Sequence, residues 1–144
     1  MNQIKNLPWV AIRDAGFICR RILASKERPD RKHLLVDAPI DELDVLFAEN
    51  HYRSSWFISY HYHGEDKNLS RSEYHHGEFE NLQHHIRLFD REDDRTELFS
   101  HVEVCPIEHP REHLNGAMHS VDEGIGMVRD QLDAKKITYE VINP

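Results

Sequence analysis

A chain of 144 residues, 39% hydrophobic and 31% charged, has the size and balance of one soluble globular domain with a real core. Its formal charge of −8 argues against a general nucleic-acid coat, and no apolar run approaches the roughly 18 residues a membrane span needs. The two cysteines, Cys19 and Cys105, lie far apart and suggest no disulfide framework. The opening residues lack the basic-then-apolar layout of a secretory signal. A cytoplasmic protein with reduced thiols and no membrane association is the expectation.

The charge is unevenly spread. Residues 1 to 35 hold eight basic side chains against three acidic ones, a balance of +5 that leaves −13 for the rest. Such an arm can meet a polyanion, dock on its own acidic body, or join a second copy in a homo-oligomer; the last two readings are favoured.

Pro8 suits a first helical turn, and Trp9 to about Ser25 reads as helix with Val10, Phe17, Ile18, Ile22 and Leu23 as its apolar side. Lys26 to Lys32 is a charged loop, and His33 to Val36 a short run fit for an extra strand. Asp37 and Pro39 introduce a helix over Ile40 to Glu49, striped by Ile40, Leu43, Leu46 and Phe47.

Trp56 to Cys105 reads as four strands. Alternation in the first puts Trp56, Ile58, Tyr60 and Tyr62 on one side and Ser59, His61 and His63 on the other. Leu69 to His76 returns antiparallel after a polar turn. Leu82, His84, Ile86 and Leu88 then share one face, with Gln83, His85 and Arg87 on the other. Beyond the charged turn Arg91 to Arg95, Leu98, Ser100, Val102 and Val104 oppose Glu97, Phe99, His101 and Glu103. Pro106 to Met118 is too polar, and too rich in Pro and Gly, to predict regular structure. Ser120 and Glu123 form a capping box for a helix from Val121 to about Ala134, and Ile137 to Ile142 alternates like an edge strand. These patterns predict one α+β domain over residues 1–144: a helical part at 1–50, a sheet at 56–105 and a helix at 120–135. An antiparallel sheet of four to five strands should carry the N- and C-terminal helices on one face.

Twelve histidines stand in this chain, ten of them between His61 and His119, and three chemistries compete for them. The first is a zinc-like divalent site, with His61 and His63 pointing one way from a strand and His109 and His113 closing from the loop. The second is metal-free acid–base work, needing a base, an acid and a cation for phosphate charge. His61, His63, His85 and His101 could supply the first two and Arg87 the third, with no cofactor. Arg71 on the neighbouring strand would bind substrate, and Glu103 would orient an imidazole. The third is a pH-responsive binding module, with the pairs His75-His76 and His84-His85 charging as pH falls.

The run Tyr60-His61-Tyr62-His63-Gly64-Glu65, the strand ending Tyr74-His75-His76, the segment His84-His85-Ile86-Arg87 and the capped C-terminal helix resemble the TumE-type toxins of toxin–antitoxin systems. The likeness spans about residues 56 to 134. It departs where Arg87 replaces the third histidine of the family's His-His-x-His signature, and where the hairpin Leu88 to Cys105 is inserted. The segment His109 to His119, directly before the helix, is an alternative equivalent of that signature. The resemblance implies an RNA-directed, growth-inhibiting activity and a cognate antitoxin. The acidic, Arg-over-Lys composition also resembles salt-adapted archaeal proteins. A ribonuclease-like site on His61, His63, His85, Arg87 and His101 is therefore the leading expectation, with a non-catalytic metal- or partner-binding module as its rival.

Overall fold

The computed structural model describes residues 28–54, 64–74 and 76–144. Six strands and three helices run in the order β1 (His33–Val36), α1 (Ile40–Glu49), β2 (Arg53–Ser54), β3 (Lys67–Tyr74), β4 (Asn81–Asp90), β5 (Thr96–Val104), α2 (Pro110–Leu114), α3 (Val121–Lys135) and β6 (Tyr139–Ile142). They form one antiparallel sheet in the spatial order β2-β3-β4-β5-β1-β6. The fold is α+β, with one strand more than the upper end of the expected range. The helix expected over Trp9 to Ser25 and the strand over Trp56 to His63 lie outside the described residues.

Period-two patterning decides which side the helices cover. Leu34 and Val36 of β1, Leu69 of β3, Ile86 and Leu88 of β4 and Leu98 of β5 meet Leu43, Leu46 and Phe47 of α1 and Ile125, Val128 and Leu132 of α3. Burying each of these large side chains contributes about 1.5–3 kcal/mol, so this layer supplies much of the driving force for folding. Of the stripe expected on α1, Leu43, Leu46 and Phe47 are buried and Ile40 is partly buried. Ser120 caps α3 as its spacing predicts, accepting the Glu123 amide at 3.2 Å.

Gly124 looks out of place so early in α3, yet it sets the distance between helix and sheet. A Cβ there would meet the His101 backbone, 2.6 Å from its nitrogen and nearer still to its Cα. Only a bare Cα lets α3 lie this close to β5.

Two expectations need correction. The segment Pro106 to Met118 is not wholly irregular, because Pro110 starts the short helix α2 at its first position. The sheet face opposite α1 and α3 is not open. Phe89, Phe99, His85 and His101 are all buried there. The end of the basic arm accounts for part of this cover. Arg28 donates to Glu97 at 2.8 Å and sits over the Phe89 ring, Arg31 reaches His101, and Lys32 reaches Asp122 at 2.7 Å. Over residues 28–32 the arm docks on its own acidic body.

Candidate functional site

Strand register brings the site together. In the β4–β5 pair His85 lies opposite His101 and Gln83 opposite Glu103, so all four share the face away from α1 and α3. The two imidazoles meet edge to face with centroids 5.1 Å apart. Glu103 lies against both: its Oε2 is 3.1 Å from His101 Nε2, and its Oε1 is 3.5 Å from His85 Nδ1. One ligand atom from each of His85, His101 and Glu103 can be chosen so that all lie within 4.8 Å of one another. The rings are 4% and 3% exposed, and the Glu103 side chain 14%.

Hydrogen-bond partners fix which ring nitrogens carry protons. Asn68 donates its amide to Glu65 Oε1 at 2.7 Å, which turns its carbonyl oxygen toward His85 Nε2. His85 Nε2 must therefore be the donor, and in a neutral ring Nδ1 is a bare lone pair. That Nδ1 is buried and, among the described residues, has no hydrogen-bond partner. At His101 the order follows from arginine, which can only donate. The Arg31 guanidinium, 3.2 Å from Nδ1, leaves Nε2–H to donate to Glu103.

Electrostatics agree with these assignments. Burial pushes His101 down to about 4, against the opposing pull of Glu103. Burial lowers His85 as well. For Glu103 burial acts upward, but the hydrogen bond from His101 outweighs it and holds the carboxyl far below its usual range. Near neutral pH the cluster is thus two neutral imidazoles around one carboxylate.

Two cations flank it. Arg31 is lowered to about 10 by burial and by the charge of Arg87, and stays protonated near neutral pH. Arg87 lies 3.3 Å from Glu65 Oε1 through its Nε. Both Nε atoms are buried, and among the described residues neither makes a hydrogen bond, the Arg87 contact with Glu65 being an ion pair only. Toward solvent, the exposed His119 stacks on His101 with centroids 4.6 Å apart and lies 3.4 Å from Arg31. His113 donates to the Val104 carbonyl at 3.0 Å and approaches Glu103 at 3.6 Å.

Of the residues singled out by sequence, the structure gathers His85, His101, Arg87 and Glu103. His61 and His63 lie outside the described residues. Arg71 is not beside His85. It pairs in register with His84, donates to the Asn50 carbonyl at 2.8 Å, stacks on Tyr52 and pairs with Glu73 on the helix-covered face. Arg87 meets Phe99 in register and Glu65 by charge. His109 packs edge to face on Phe79, and His113 has its Nδ1 committed to a carbonyl, so neither presents itself as half of a loop chelate.

Arg31, Asn68, Glu65 and His119 escape sequence reasoning. Ser120 exchanges two 2.9 Å backbone hydrogen bonds with Val102, which carries its predecessor to His101. Comparisons with protein-family models, with curated proteins and with solved structures find no match. No helix among the described residues is long and apolar enough to cross a membrane.

Proposed function

We propose that the chain is a ribonuclease-like enzyme working from the His85–Glu103–His101 cluster, with Arg31 and Arg87 as its phosphate-binding cations. The observation that carries this reading is the bare Nδ1 of His85. It is a buried base with its tautomer fixed by Asn68, set beside a second imidazole and two guanidiniums, Arg31 and the Glu65-paired Arg87. Metal-free RNA cleavage needs that inventory.

His85 Nδ1 takes the proton of the 2′-hydroxyl as the oxygen attacks phosphorus. Arg31 and Arg87 hold the charge that builds on the phosphorane. An arriving phosphate raises the pKa of nearby imidazoles, so His101 gains its second proton when substrate is present and passes it to the leaving oxygen. Approach is from the side of Glu103, His113 and His119, where exposure rises from 14% to 27% to open surface. The TumE-type resemblance supplies RNA as the substrate and an antitoxin as partner. A small adjacent antitoxin-like reading frame whose product blocks cleavage is the matching genetic expectation, and self-association would show in the solution mass.

The test is cleavage of RNA in the presence of chelator. Activity should persist there and fall by about 10²–10⁴-fold in His85→Ala and in Arg87→Ala. Absence of cleavage, or cleavage unchanged in both variants, overturns the reading.

A further inference from the structure

The same three side chains raise a second question, because His85 Nδ1 and Glu103 Oε1 face each other with nothing positive between them. A lone pair and a carboxylate oxygen 3.5 Å apart repel in a buried site. A metal cation bound between the two atoms reconciles them.

The donor set suits a particular class of ion. Two imidazoles and a carboxylate are borderline ligands of the zinc type, bound at about 2.0–2.2 Å in a tetrahedron whose edges are roughly 3.4 Å. Here Glu103 Oε1 lies 3.5 Å from His85 Nδ1 and Oε2 lies 3.1 Å from His101 Nε2, and with one ligand atom taken from each residue all three fall within 4.8 Å, so a small rotation of the carboxylate closes the set on an ion. Behind His85 stands the support that metal-binding histidines use: Nε2–H donates to the Asn68 oxygen, and Asn68 is oriented by Glu65. His101 is the adaptable member. To ligate through Nε2 it must give up that proton and carry one on Nδ1, which the Arg31 guanidinium now faces. Arg31 also bonds the exposed His119, so it has a route outward.

We infer that His85, His101 and Glu103 form a binding site for one zinc-class divalent ion, and that the ion switches the proposed ribonuclease off. The inhibitory half rests on the proposed function, since the ion occupies the lone pair that serves as base; the binding half does not. Arg31 opposes the ion twice, by its charge and by enforcing the wrong His101 tautomer. Its removal should therefore tighten binding, the reverse of what a phosphate-binding arginine would suggest.

The experiment uses the full untagged chain, stripped with chelator and titrated with Zn²⁺ by calorimetry and with Co²⁺ by its visible absorption. One ion per chain with the absorption of four-coordinate Co²⁺ is expected. Glu103→Gln and His85→Ala should weaken binding by more than about 100-fold, and Asn68→Ala by about 10–100-fold. Arg31→Ala should strengthen it several-fold, and His109→Ala should leave it unchanged. Should His85→Ala fail to fold by circular dichroism, Glu103→Gln and the sign of the Arg31→Ala effect still decide. Binding that survives Glu103→Gln, or is lost in His109→Ala, overturns the site.

RNA cleavage run alongside separates the two ideas. Cleavage that falls as Zn²⁺ is added supports both. Ion binding without cleavage under any condition removes the ribonuclease and leaves the site. Cleavage with no ion bound removes the site alone, and cleavage that requires the ion overturns the inhibition.

Discussion

His84 and His85 are neighbours in one strand, equally buried, and face opposite layers of the molecule. Their difference separates structure from chemistry. On the helix side His84 is fully used. Its Nε2–H is shared between Ser100 Oγ at 2.6 Å and the Gly124 carbonyl at 3.1 Å, and its Nδ1 accepts from Tyr52, which in turn receives Gln131 at 3.1 Å. Burial drives its pKa down to about 3, helped by the charge of Arg71, and burial also keeps the Tyr52 hydroxyl protonated as the donor. On the other side His85 has one nitrogen held by Asn68 and one that, among the described residues, makes no hydrogen bond. A buried polar atom without a partner costs free energy, so a fold that keeps one invites a functional explanation.

That contrast fails if the two histidines respond alike to replacement. His84→Leu leaves the Tyr52 O–H without its acceptor in the core and should cost about 3 kcal/mol of stability. His85→Leu loses one hydrogen bond but also removes an uncompensated lone pair, and should cost no more than about 1 kcal/mol. Urea unfolding of the two variants beside the parent reads the difference. Equal losses would mean that His85 is as structural as its neighbour.

Gly124 tests the wall between the two layers. Gly124→Ala forces α3 away from the His101 backbone, an overpacking that should cost about 1–3 kcal/mol in the same experiment. The displacement also lengthens the His84 bond to the Gly124 carbonyl. A variant as stable as the parent would show that the close approach of helix and strand is dispensable.

Much of this architecture was readable because alternation in β4 and β5 is unbroken. Leu82, His84, Ile86 and Leu88 against Gln83, His85 and Arg87 is a pattern that only one placement of the sheet can satisfy. His85, His101 and Glu103 could be put on one face for that reason. What alternation does not reveal is which of two faces is left open. The far face looked solvated because it carries His, Arg and Glu, yet Phe89 and Phe99 lie on it too, and the arm through Arg28 and Arg31 covers them. Register between strands was equally hidden. Arg71 differs from its expected place by a single step of pairing, which sets it opposite His84 rather than His85. Long-range partners such as Arg31, 70 positions from His101, leave no local trace in a sequence.

The gentlest probe of the comparison is pH. His84 titrates at about 3 in the folded chain against its ordinary 6.5, so between those values the unfolded chain binds more protons than the folded one. Stability is therefore complete above about pH 6.5 and declines as pH falls toward 3, by at most about 1.4 kcal/mol per pH unit for this one group. His101, lowered to about 4, adds a decline of the same sign over pH 6.5 to 4, and Glu103 one that begins below its ordinary 4.5. Unfolding measured at several pH values should give a slope in the parent that His84→Leu reduces by close to one proton. If the His84→Leu slope matches the parent's, His84 already exchanges its proton in the folded state. The sealed network on the helix side would then be no more closed than the cluster opposite it.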